Sequence, residues 1–275
     1  MTTQFQFAQA EKVYKSAIQA APDSLDAHFA FALYSQDLNH FSEARAEYLR
    51  ALEIARRNGD EKGVAMTLNN LGLLDANQDR MAEARQHYEE ALKTHRRLAQ
   101  QNPDTCLPYV AATLNNLGNL DSAQNRMGEA RQHLEEALKT YRQLARQNPN
   151  MYVFYVAMTL NNLGALDKNQ NRMVEARQHY ELALKIYSQL AQQNPETYLP
   201  DVVHTLGNLG ILDKAQNRMG EARQHLEEAL KTYRQLAQLN SDTYLPDVAK
   251  TLNNLGNLDS AQNRTRDQLV SGDLS

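Results

Sequence analysis

The chain has almost no cysteine, little proline or glycine, and no surplus of charge of one sign. Cys106 stands alone among 275 residues, so no disulfide can close within the chain, and a reducing, cytoplasmic setting is expected. Seven prolines and eleven glycines leave little room for long flexible linkers. Lysine and arginine number 29 against 33 aspartates and glutamates, a formal charge of −4, and the two signs are interspersed. A nucleic-acid surface needs a basic stripe and an anionic membrane attracts a polybasic segment; neither is present. No stretch approaches the length of an apolar membrane span, and the opening MTTQFQFAQAEKVYK lacks the apolar core of a secretory signal. Hydrophobic residues nevertheless make up 42% of the chain, enough for a continuous core.

What the sequence does have is repetition. Thr67, Thr113, Thr159, Thr205 and Thr251 each open a copy of TLNNLG, altered to TLGNLG in the fourth, always 46 residues apart. A second phrase, NRMGEARQHLEEALKTYRQLA, runs from Asn125 to Ala145 and recurs unchanged from Asn217 to Ala237. Each repeat reads as two helices. Val110, Leu114, Leu117 and Leu120 mark the apolar face of a first helix, and Met127, Ala130, Leu134, Ala137, Leu138, Tyr141 and Leu144 that of a second. Asn125 falls where the chain must reverse, and asparagine tolerates the left-handed conformation of such a turn. Asp79, Asn171, Asn217 and Asn263 take the same place. The second helix is expected to stop near Asn148-Pro149, and the next first helix to begin around a Leu-Pro step at Pro108, Pro200 and Pro246. Small residues sit where paired helices must touch: Gly118 opposite Ala130 and Ala137, with Gly72, Gly164 and Gly210 repeating the arrangement.

Large-x-x-Leu-Gly on a first helix, then alanine, an aromatic residue or leucine, and alanine on a second, resembles the tetratricopeptide repeat over nearly the whole chain. The period of 46 exceeds the family's 34, which suggests a second helix longer by about two turns plus a fixed connector. Aspartate (Asp75, Asp121, Asp167, Asp213, Asp259) stands where the family has tyrosine. The LNNLG phrase in a lengthened repeat looks like kinesin light chain repeats, and still more like bacterial long-repeat arrays of signalling proteins. The resemblance implies an all-α fold, a right-handed superhelix (solenoid) of antiparallel helix pairs. Residues 1–264 form one array under this reading. It holds a lone second helix (4–22), a standard repeat (25–58), long repeats (61–103, 107–149, 153–195, 199–241) and an unpaired first helix (245–263). A disordered tail, 265–275, follows.

In this family first helices line the concave face where a peptide or protein partner binds, which places Asn70, Asn116, Asn162, Asn208 and Asn254 on the binding wall. An amide offers donor and acceptor together, so such a row can pair with an extended backbone whatever its sequence. Asn119, Met158, His204, Ile211 and Lys250 lie on the same stripe, where they would tune specificity. That stripe is mostly neutral, so a clamp for a charged terminus is not expected. The aspartates are read as structural, paired across helices through arginine or a backbone amide.

His87, His133, His179 and His225 recur 46 residues apart on successive second helices, too far from one another to share a metal ion, so no metal site and no cofactor is expected. Catalysis needs dissimilar groups converging on one point. Here like groups repeat at intervals, and the unrepeated Cys106, His204 and Lys250 fall in different repeats. The sequence is therefore expected to specify a scaffold rather than an enzyme. Two other readings stay open: the sensor arm of a larger signalling or protease-type protein, and head-to-tail self-association into a structural assembly.

Overall fold

The computed structural model describes the backbone of residues 2–272 and the side chains of residues 9–260 and Gln262. Of the disordered tail expected at 265–275, the backbone of residues 265–272 continues α12 instead, and residues 273–275 lie outside the described residues. Among the described residues the fold is all-α, twelve helices and no strand. They are α1 (Thr2–Ala20), α2 (Leu25–Asp37), α3 (Phe41–Arg57), α4 (Glu61–Ala76), α5 (Met81–Gln101) and α6 (Pro103–Ala123). Then come α7 (Met127–Gln147), α8 (Pro149–Asn169), α9 (Met173–Gln193), α10 (Pro195–Ala215), α11 (Met219–Leu239) and α12 (Ser241–Gly272). The chain divides into two compact parts, residues 1–140 and 141–275. Within each, consecutive helices pack as in a tetratricopeptide solenoid, and successive first helices also touch: α2 with α4, α4 with α6, and α8 with α10.

Two helices of 21 residues, a three-residue turn and a single connecting asparagine fill the 46-residue period. The turn is made as the sequence suggests. Asn125 has φ +61°, Asn125 N–H donates to the Ser122 carbonyl at 3.1 Å, and Arg126 N–H to the Asp121 carbonyl at 2.8 Å. These are the paired bonds of a Schellman motif, which satisfy carbonyls the helix end would leave bare. Asn39, Asp79, Asn171 and Asn217 repeat it at φ of 58–60°. Asn263 does not: α12 runs through it, and NRTRDQ stands there in place of the Asn- or Asp-Arg-Met-x-Glu-Ala that opens the other long second helices.

Three expectations need correction. First helices begin at the Asn-Pro step, not the Leu-Pro step: Pro103, Pro149 and Pro195 are first helical residues, while Pro108, Pro200 and Pro246 lie inside their helices. Proline at the first position removes no intrahelical bond, whereas the second proline forgoes one. The earlier start also brings Cys106 into the core one turn before Val110. Second, the extra length is shared. The standard repeat has helices of 13 and 17 residues, so the first helix gains more than the second. Third, each glycine meets a large side chain first; a Cβ on Gly118 or Gly210 would also lie against the expected alanines, 3.2 Å from the Ala130 carbonyl oxygen and 3.4 Å from that of Ala222. A Cβ on Gly72 would lie 2.8 Å from the Tyr88 ring, and one on Gly118 2.6 Å from Leu134 Cγ. Tyr180 over Gly164 and Leu226 over Gly210 repeat the contact at 2.7 and 2.8 Å. Each glycine thus makes the slot that a tyrosine or leucine of the second helix fills.

Candidate functional site

Asn116 and Asn208 lie where neighbouring first helices meet. Asn70, Asn116, Asn162, Asn208 and Asn254 are all half-buried. Asn116 Nδ2–H donates to Asn69 Oδ1 at 3.3 Å, and Asn208 to Asn161 Oδ1 at 3.3 Å, each joining a first helix to the one before. Asn70 instead donates to the carbonyl of Met66 at 3.1 Å within its own helix. Each bond engages one of the two amide N–H groups. Asn119, His204 and Lys250 are exposed, as is Ile211, and Met158 is half-buried.

In the N-terminal part these side chains border clefts. Asn116, Asn119, Leu120 and Ala123 of α6 face Leu73, Ala76 and Asn77 of α4 across a recess of about 270 Å³ floored by Met81 and Tyr88. A second, also about 270 Å³, gathers Leu25, Asp26 and Phe29 of α2, Asp60 at the cap of α4, Lys62, Gly63 and Met66 of α4, and Tyr109 of α6. Lys62 Nζ sits 5.1 Å from the Tyr109 ring centre, a cation–π contact. Sequence reasoning missed Asn69 and Asn161, the bonding partners, and Tyr109. The signal for Tyr109 was available, since it lies seven residues before Asn116 on the same face.

The repeated aspartates and histidines form a separate, structural set. Asp75, Asp121, Asp167 and Asp213 are fully buried, and in each the carboxylate Oδ2 meets the Nδ1 of the histidine on its own second helix: His87, His133, His179 and His225, at 2.7–2.9 Å. Oδ1 of Asp75, Asp121 and Asp213 is held by an arginine from the preceding second helix: Arg45, Arg85 and Arg177. Arg85 and Arg177 also donate to Gln124 and Gln216 at 3.0 and 2.9 Å. A buried carboxylate is tolerable only with its charge and lone pairs engaged, and this node engages both oxygens while joining one repeat to the next. Asp259 has its Arg223 but is 54% exposed. Among the described residues no cluster of three or more histidine, cysteine or carboxylate side chains could hold a metal ion.

Burial of tyrosines marks the core. Tyr48, Tyr88, Tyr141, Tyr180 and Tyr187 all have phenol pKa values raised, chiefly by burial. His204 is shifted the other way, downward, by crowding and by the Lys250 ammonium, against a smaller opposing pull from Asp247. Cys106 is buried, filling with a smaller side chain the place of Tyr198 and Tyr244.

This is the architecture of a helical-hairpin repeat scaffold. The sequence profile of the tetratricopeptide repeat matches residues 29–97, 63–143 and 155–235, and the chain belongs to that family. No curated protein is similar enough in sequence to count as a relative. Solved structures are similar in fold. BtubC (BKLC) from P. vanneervenii has a TM-score of 0.63 at 24% identity, covering 82% of this chain and 88% of that one. Pseudomonas aeruginosa PilF has a TM-score of 0.53 at 25% identity, covering 90% and 92%. PilW, a type IV pilus biogenesis factor, has 0.61 at 17%, covering 91% and 93%. No described helix is long and apolar enough to cross a membrane.

Proposed function

We propose that the chain is a non-catalytic protein-interaction scaffold whose first helices hold a peptide or protein segment along an asparagine-lined wall. The observation that carries this reading is the recess between α4 and α6, where Asn116 and Asn119 converge with Leu73 and Asn77 from the preceding repeat. Amide groups beside apolar side chains suit an extended segment, since the amides can serve its backbone while the apolar floor takes a side chain. The inter-helix bonds of Asn116 and Asn208 fix these amides in orientation, and a pre-set donor or acceptor loses less freedom on binding. Catalysis is disfavoured because the polar groups recur as like sets instead of gathering as unlike ones.

The test uses the intact chain and a displayed library of random peptides. Recovered binders are then titrated against a variant carrying Asn116→Ala, Asn119→Ala and Asn208→Ala. The reading expects affinity to fall about tenfold or more while the helical circular dichroism is kept. Unchanged affinity would remove the asparagine wall from the account.

A further inference from the structure

In an array of near-identical repeats, the places where one repeat departs from the rest carry the information the repeats lack. Most departures on the binding wall fall on α8 and the first helices that follow it. The stripe that carries Asn162 continues towards the start of α8 at helical spacing through Met158, Tyr155 and Met151. Where the other long repeats have Thr105, Thr197 and Thr243, α8 has Met151, 61% exposed. Where they have proline, α8 has Phe154, whose ring lies 5.4 Å from Tyr155 and 5.8 Å from both Tyr187 and Tyr198. Tyr155 is 38% exposed and stacks on Tyr141 at 5.2 Å. Its ring is braced from behind, so covering it immobilises little, which is the usual character of a binding hot spot. Methionine beside it gives a soft, adaptable apolar edge.

The next two first helices reverse this chemistry. Asp201 on α10 and Asp247 on α12, both half-buried, take the place of Tyr155. His204 and Lys250 take the place of Met158. At these four places two carboxylates stand against one ammonium, that of Lys250; burial pushes the Asp201 carboxyl up and the His204 imidazole down.

We propose that the wall within residues 141–275 selects a peptide segment that seats a large apolar side chain on Met151 and Tyr155 and presents one or two lysines or arginines to Asp201 and Asp247. The proposal rests on the first helices being the binding wall, and it adds the chemistry of the partner. An apolar anchor supplies affinity by burial, and the flanking charge supplies register and salt sensitivity.

A phage library of random dodecapeptides selected on the intact 275-residue chain tests it, the best binder then being synthesised with a fluorophore for anisotropy titrations. The proposal expects selected peptides to combine an aromatic residue, leucine or methionine with nearby lysine or arginine. Met151→Thr with Tyr155→Asp installs residues that α10 already carries at those places, so the helix is kept, and binding should weaken at least about tenfold. Asp201→Asn with Asp247→Asn should weaken binding several-fold at low salt and flatten its salt dependence. Selected peptides that are acidic, or that lack a large apolar residue, would overturn the proposal while leaving the binding wall standing. So would an unchanged affinity in the Met151/Tyr155 variant. Recovery of no peptide at all would remove the wall itself, and this proposal with it.

Discussion

Replacing His95 with tyrosine should abolish a large part of the protein's sensitivity to mild acid. His95 occupies on α5 the place that tyrosine takes at Tyr141, Tyr187 and Tyr233. Its ring is 1% exposed and stacks on Tyr109 at 5.4 Å and 16°, matching Tyr141 on Tyr155 at 5.2 Å and 14°. Burial, aided by the Lys62 ammonium, pushes its pKa from 6.5 down to about 4, and its Nδ1 has no hydrogen-bond partner. Unfolding returns the ring to water and to its ordinary pKa. Between pH 6.5 and 4 the unfolded chain therefore binds a proton that the folded chain refuses, so stability falls as pH falls through that window. At pH 5 the loss relative to pH 8 comes to about 2 kcal/mol from this one imidazole. In a chain of this length that lowers the melting temperature by roughly 4–8 °C. Thermal melts followed by far-ultraviolet circular dichroism, from pH 8 to pH 5, should show the His95→Tyr protein losing less by about that amount. The four aspartate–histidine pairs are the same in both proteins and cancel in the difference. Parallel curves for the two proteins would refute the reasoning.

Further outcomes follow from the packing. Gly118→Ala should destabilise by about 1–3 kcal/mol, because its new Cβ would fall 2.6 Å from Leu134 Cγ and 3.2 Å from the Ala130 carbonyl oxygen; a chemical melt of equal or greater stability would contradict the slot geometry. Gly207→Asn should stabilise by roughly 0.5–1.5 kcal/mol. Gly207 has open space around it and stands where Asn161 accepts the amide of Asn208, so the new side chain can accept from Asn254 in the same way. An unchanged urea midpoint would deny that the asparagine bonds matter to stability. Asp121→Ala leaves Arg85 and His133 without their carboxylate and should cost about 3–5 kcal/mol, whereas Asp259→Ala, at an exposed node, should cost under about 1 kcal/mol. Equal costs would mean that burial does not govern these nodes.

The repeat, the helix pairs and the turns could be read from the chain because each leaves a local mark. Apolar residues recur at three and four, and asparagine or aspartate stands where φ is positive in the turn inside each helix pair, with Gly59 taking that place between α3 and α4. The start of the first helices could not, since two prolines five residues apart each suit a first turn. In α6 and α10 the helix takes the earlier proline, and the turn this adds buries Cys106 in α6 but leaves its counterpart Tyr198 only half-buried in α10. The glycine slots were placed on the right residues, and Ala130 and Ala222 do line two of them, but the tyrosine or leucine that fills each slot was missed: spacing shows that helices approach, while which side chain fills the gap depends on their rotation. Asn69 and Asn161 were invisible for a similar reason. In LNNLG both asparagines are adjacent, and a bond from Asn116 back to Asn69 spans 47 positions and exists only in one register of neighbouring helices.

That register is itself what the repeated polar residues secure. The arginine–aspartate–histidine nodes join a second helix to the following first helix, and the asparagine bonds join first helix to first helix. Both carry directional bonds into places where apolar packing alone would tolerate a slip of one turn, and a buried carboxylate penalises such a slip heavily because its cation would then be lost. A feature repeated every 46 residues, however, presents the same face to a partner at every step and cannot say where along the array that partner should stop. Position has to come from residues that do not repeat. On the wall proposed for the C-terminal part these would be the apolar shelf of Met151 and Tyr155 and the carboxylates of Asp201 and Asp247, one kind of chemistry giving way to another within a single repeat step. Duplication thus supplies first helices of fixed spacing, and divergence along one face of them would give the proposed wall a direction.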